Sequence, residues 1–177
     1  MDFLPPRTRR WGLVGFGILF VVQGLGKAID PRGYMAALDA FHVLRPTAFE
    51  SLSLGSLALL WTVLELLAGV AMLYGGLSRA PAKQLSLGGI SLALGLTVAS
   101  LSLTIGALGR HLPIANTTVF GSYAAQSLSW LVIAQEAIAL GLLSWLFTSV
   151  LKWPSLEHAH EPPAHRRSPL AAWFTAP

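Results

Sequence analysis

Four uninterrupted apolar stretches, each about as long as a bilayer core is thick, constrain this 177-residue chain more than any other feature. They run from Trp11 to Ala28, from about Leu54 to Tyr74, from Leu85 to Leu108 and from Leu128 to Leu151, and none has an internal proline. A hydrocarbon core of ~30 Å takes about 20 helical residues to cross. Backbone groups in lipid must pair within their own segment, so each stretch is expected to be a helix. Composition agrees: 54% of residues are hydrophobic and 11% are charged, where soluble domains carry about 25% charged residues. The expected fold is all-α and integral to the membrane, a four-helix transmembrane bundle over residues 11–151. A basic cytoplasmic segment (1–10) precedes it, and a flexible, proline-rich cytoplasmic tail (152–177) follows.

Charge sets the expected orientation. Arg7, Arg9, Arg10, Arg79, Lys83, Lys152, Arg166 and Arg167 fall on one side of the spans, and Lys27, Arg32, Arg45 and Arg110 on the other. The positive-inside rule then puts both termini in the cytoplasm, N-in and C-in. The basic stretch before the first span has the layout of an export signal, but "GLGKAIDPRG" offers no cleavage site, so it reads as an uncleaved span. In the first outer loop, Met35, Leu38, Phe41 and Leu44 are spaced for a short interfacial amphipathic helix. The net charge of +4 belongs to membrane flanks and not to a nucleic-acid face, because the basic residues do not cluster with aromatic ones. The chain has no cysteine, which removes disulfides, thiol catalysis and Cys-ligated metal centres.

The residues able to carry chemistry are few. Glu65, in "WTVLELLAGV", lies far from either end of its span. An ionised carboxylate there costs a few kcal/mol, so it is expected to face the bundle and find a partner. Lys27 and Gln23 on the first span are the candidates. Glu136, in "LVIAQEAIAL", lies about two turns inside the fourth span. These four residues are candidates for proton or quinone handling, and the alternative for both glutamates is a buried hydrogen bond that fixes helix register. A faint echo sets Lys27 before Glu65 and Arg110 before Glu136, a pattern that a two-helix duplication would leave. His42 and His111 fall at the outer side, where interfacial hydrogen bonding competes with metal or haem ligation. In the tail, His158 and His160 stand between Glu157 and Glu161 as a weak metal candidate. The loop "PIANTTVFGSY" is small and uncharged, and Asn116, Thr117, Thr118, Phe120, Gly121 and Tyr123 are candidates for docking an outer partner.

The first span ending "VVQGLGKAIDPRGY" and the second carrying "ELLAGVAMLYGG" resemble the MauE/DoxX family of four-helix bacterial membrane proteins, over roughly residues 10–151. The resemblance implies a multi-pass protein of the bacterial inner (cytoplasmic) membrane associated with redox work. MauE-like members often carry Cys-Gly-Cys-Phe-Gly in the third connection. The matching residues here are Thr117, Thr118, Val119, Phe120 and Gly121. The Phe-Gly survives and both cysteines are absent, and a threonine hydroxyl cannot replace a thiolate in disulfide exchange. The resemblance therefore implies a non-catalytic accessory or anchor subunit of a membrane electron-transfer complex, docked to larger protein subunits and surrounded by membrane lipid. A quinone or lipid between the helices is the expected small-molecule partner. The alternative is a quinone- or proton-handling subunit using Glu65 and Glu136. A small-solute transporter is a third class, disfavoured because few polar groups line the spans.

Overall fold

The computed structural model describes residues 6–41, 53–78, 82–112 and 129–152. They form five helices: α1 (Pro6–Ile29), α2 (Pro31–Ala40), α3 (Leu54–Leu77), α4 (Lys83–Gly109) and α5 (Trp130–Leu151). Four of them, α1, α3, α4 and α5, are long and apolar enough to cross a membrane. Their outward faces carry Leu59, Leu67, Val70, Val98, Ile138 and Leu142. A helix apolar on every side is at home in lipid. Several hydroxyl groups in these helices are satisfied locally: Thr62 donates to the Ala58 carbonyl and Thr97 to the Ala93 carbonyl, each at 2.8 Å. Such back-bonds let Ser and Thr sit in hydrocarbon without an orphaned donor.

Helices α1, α3 and α4 run longer than the apolar windows of the sequence, while α5 starts at Trp130, two residues after the expected Leu128. α1 begins at Pro6, where proline's missing N–H and fixed φ suit a first helical position. The extra turn carries Arg9, which is buried and donates to the Ser149 carbonyl of α5 at 3.3 Å. Contacts pair Gly24 with Leu66, Gly17 with Leu73 and Val14 with Gly76, so α1 and α3 are antiparallel. Gly75 meets Ser86 and Gly89 meets Ala71, making α3 and α4 antiparallel as well. Arg9 on Ser149 and Gly12 on Leu146 set α5 antiparallel to α1. The spans thus alternate in direction around a ring α1–α3–α4–α5, with α1 and α5 touching least of the neighbouring pairs. Leu13, Phe20, Ala68, Met72, Ile90, Ala93, Leu143 and Leu146 form the buried centre.

The tightest join is α1 on α3. A Cβ at Gly17 would lie 2.8 Å from the Leu73 backbone nitrogen and 2.9 Å from the Gly69 carbonyl oxygen. One at Gly69 would lie equally close to Val21 nitrogen and Gly17 oxygen. Backbone therefore meets backbone here, which only small residues allow.

The short helix expected in the first connection is α2, although it ends at Ala40. Asp30 caps it by accepting a hydrogen bond from the Gly33 amide at 2.9 Å, and Pro31 occupies the first turn. Its apolar side is buried on α3: Tyr34 and Leu38 pack with Ala58, beside Met35 and Trp61. Phe41 reaches the far end of α4 and packs with Ala107 and Leu112. Leu44 lies outside the described residues.

α4 ends in a Schellman turn. The Leu112 amide bonds the Ala107 carbonyl and the His111 amide bonds the Leu108 carbonyl, with His111 in the left-handed region at φ 55°. The exposed His111 therefore sits at a backbone position where glycine is usual, and stopping the helix accounts for its placement.

Candidate intramembrane site

Helical spacing places the site. On α1, Leu19, Gln23 and Lys27 recur every four residues and so share a face. Trp61 and Glu65 are likewise four apart on α3, and Gln135 and Glu136 stand with Ala139 on α5. Leu96, Thr97 and Ser100 of α4 complete the wall of a cavity of about 240 Å³ between the four spans. All four residues singled out from sequence, Gln23, Lys27, Glu65 and Glu136, line this one space.

Within it, Lys27 forms a buried ion pair with Glu65 through Oε1. Trp61 Nε1 donates to the same oxygen at 3.0 Å. The Tyr34 ring of α2 lies over the Lys27 ammonium, 5.1 Å from its centroid, close enough for a cation–π attraction. Glu136 accepts a hydrogen bond from the Ser100 hydroxyl through Oε1. The second oxygen of each glutamate, Oε2, is buried with no hydrogen-bond partner among the described residues. A buried acceptor left bare costs about 1–3 kcal/mol, more when charged, so each oxygen is a place where a ligand donor gains full value. Tyr34 lies outside the spans. Burial, and then the Glu65 carboxylate, hold its phenol above the usual tyrosine range.

Of the two partners considered for Glu65, Lys27 takes the role, while Gln23 is half-buried on the cavity wall. Glu65 and Glu136 share the cavity without pairing directly; each has its own donor. The echo between Lys27–Glu65 and Arg110–Glu136 does not extend to contacts. Arg110 is exposed, and Ser100 stands where the second pair would need a cation. The spacings differ as well, 38 residues from Lys27 to Glu65 against 26 from Arg110 to Glu136.

Sequence reasoning missed Trp61, Tyr34 and Ser100. Trp61 had a usable signal, since an indole four residues before a buried glutamate lies on the same helix face. Tyr34 and Ser100 reach the site only through tertiary packing. His42, the loop residues Asn116, Thr117, Thr118, Phe120, Gly121 and Tyr123, and the tail residues His158 and His160 lie outside the described residues. Among the described residues, no group of three or more His, Asp or Glu side chains is placed to hold a metal ion.

In comparisons with protein-family models, curated proteins and solved structures, nothing matches this chain.

Proposed function

We propose that this protein is a membrane subunit that holds a hydrogen-bonding aromatic head group, quinone or quinol in type, and exchanges protons with it through Glu65 and Glu136. One observation carries the reading: two carboxyl groups on different helices line one cavity, and each keeps one buried oxygen that has no partner among the described residues. A quinol hydroxyl would satisfy such an oxygen. Lys27, Gln23 and Gln135 supply donors for the carbonyls of the oxidised form. The chain itself offers no thiol for electron transfer, so electrons would pass to a redox-active partner subunit. In that sense the accessory-subunit reading and the head-group reading describe two sides of one assembly.

The same proposal includes membership of the MauE/DoxX family, a bacterial cytoplasmic membrane and both termini on its inner side. Motif resemblance supports the first two, and the distribution of Lys and Arg supports the third. The loop suggested for partner docking lies outside the described residues, and the cavity carries the functional argument.

The test is purification in native-lipid nanodiscs, with mass spectrometry of both the small molecules and the protein partners retained. A quinone-class molecule should co-purify with the wild-type chain. Glu136→Gln should lower its occupancy by about tenfold or more, the loss of one hydrogen bond to a charged group, while the chain stays folded and its partners stay bound. Unchanged occupancy in both Glu65→Gln and Glu136→Gln would contradict the reading and leave the glutamates as packing elements.

A further inference from the structure

The stripe of α5 that faces α1 changes character along its length. Ser149, Leu146, Leu142, Ala139 and Gln135 are spaced by three or four residues and so lie on one helix face. At one end this stripe is in contact: Ser149 accepts from Arg9, and Leu146 packs where a Cβ on Gly12 would sit 3.1 Å away. Ser149 and Leu146 are buried. Leu142 is already 46% exposed, Ala139 is half-buried and Gln135 is exposed. Gln135 nevertheless lines the cavity. From Leu146 to Gln135 the helix rises about 16 Å, and over that length contact with α1 gives way to an opening.

From this geometry we infer that the cavity opens sideways into the bilayer between α1 and α5, and that its ligand is a membrane-dissolved amphiphile whose head enters while its tail stays in lipid. The inference rests on the head-group reading above and adds the route and the ligand class. Three observations support it. At about 240 Å³ the cavity falls short of the ~300–1,000 Å³ of sites that enclose a whole drug-sized ligand, so only a head fits. Polarity is graded, with the ion pair and Glu136 on one part of the wall and Leu19, Phe20, Leu96 and Ala139 on another. Beside the Lys27–Glu65 pair, α2 lies across α1 and α3, with Tyr34 on Lys27 and Leu38 against Ala58. An intramembrane glutamine open to the bundle exterior is costly in hydrocarbon alone; at the rim of a portal it has a polar head to meet.

The experiment uses the intact chain in nanodiscs with two probes, decyl-hydroquinone bearing a diazirine at the tail tip and plain hydroquinone. After photolysis, tail adducts should map to outward residues of α1 and α5 that flank the opening, such as Val22 and Leu142. Adducts confined to the outer faces of α3 and α4, at Leu67 or Val98, would overturn the lateral route. Leu142→Trp, a substitution beside the opening at a residue outside the cavity wall, should weaken decyl-hydroquinone binding by about tenfold and leave hydroquinone binding nearly unchanged. The control Ile138→Trp, on the lipid face of the same helix, should alter neither. Equal binding of both probes, with Leu142→Trp silent, would retain the head-group reading and refute the portal. Binding of neither probe would overturn both.

Discussion

The two seams that α1 makes with its neighbours are built on opposite principles. Against α3, Gly17 and Gly69 bring the backbones together until an added Cβ would strike main-chain atoms at under 3 Å. Against α5, the helix is held at one end by Arg9 on Ser149 and Gly12 on Leu146, and the join opens toward Gln23 and Gln135. In lipid there is no hydrophobic drive to press helices together, so close contact has to be specified by small residues. Where α1 and α5 lack them, side chains and a cavity separate the helices. The closed seam therefore sets the frame, and the open seam leaves room for chemistry between rigid elements.

The sharpest way to break this contrast is to add bulk to each side of it. Gly69→Leu should abolish recovery of folded protein or cost at least about 3 kcal/mol, because main chain cannot step aside. Gly15→Leu, between Gly12 and Leu19 on the α1 face toward α5 and with nothing within 4 Å of its Cβ position, should stay within about 0.5 kcal/mol of wild type. Thermal unfolding in a single detergent reads both. Equal losses at the two positions would mean that the seams do not differ in the way described.

A second effect is electrostatic. Lys27→Met leaves the Glu65 carboxylate without its cation and should cost about 3–5 kcal/mol, whereas Lys27→Met/Glu65→Met should recover most of that loss. The double-mutant cycle isolates the pair; an additive double mutant would show that Lys27 acts by packing alone.

The smallest effect concerns α2 beside the ion pair. Folding holds the Tyr34 phenol protonated, by burial and then by the Glu65 charge. The unfolded chain releases that proton near pH 10, so above that pH the unfolded state binds fewer protons and stability falls as pH rises. Below it, the group contributes no slope. Tyr34→Phe should flatten this alkaline decline, as followed by denaturation between about pH 9 and pH 11. A slope that survives the substitution would assign it to other groups.

The fold was largely legible because the spans are read by length and hydropathy, which depend on nothing beyond the segment itself. The extra turn of α1 was not, since Arg9 looks like a cytoplasmic flank until its contact with Ser149 is seen. For the site, burying a carboxylate is costly enough to single out Glu65 and Glu136 on sequence alone. Their arrangement required the α1–α3 register that Gly17 and Gly69 enforce, which sets Lys27 beside Glu65. Ser100 was illegible because a hydroxyl at that position in a helix is more often spent on its own backbone, as Thr97 is. The open seam follows from which residues of α5 find no partner on α1, and no local pattern encodes that.

The most direct test of this account is cross-linking across the α1–α5 seam in the bilayer, made clean by the absence of native cysteine. Gly12→Cys with Leu146→Cys should form a disulfide readily under mild oxidation. Gln23→Cys with Gln135→Cys should form little, because the cavity lies between them. Equal and rapid cross-linking of both pairs would show a seam closed along its whole length, and the portal and the site behind it would have to be abandoned.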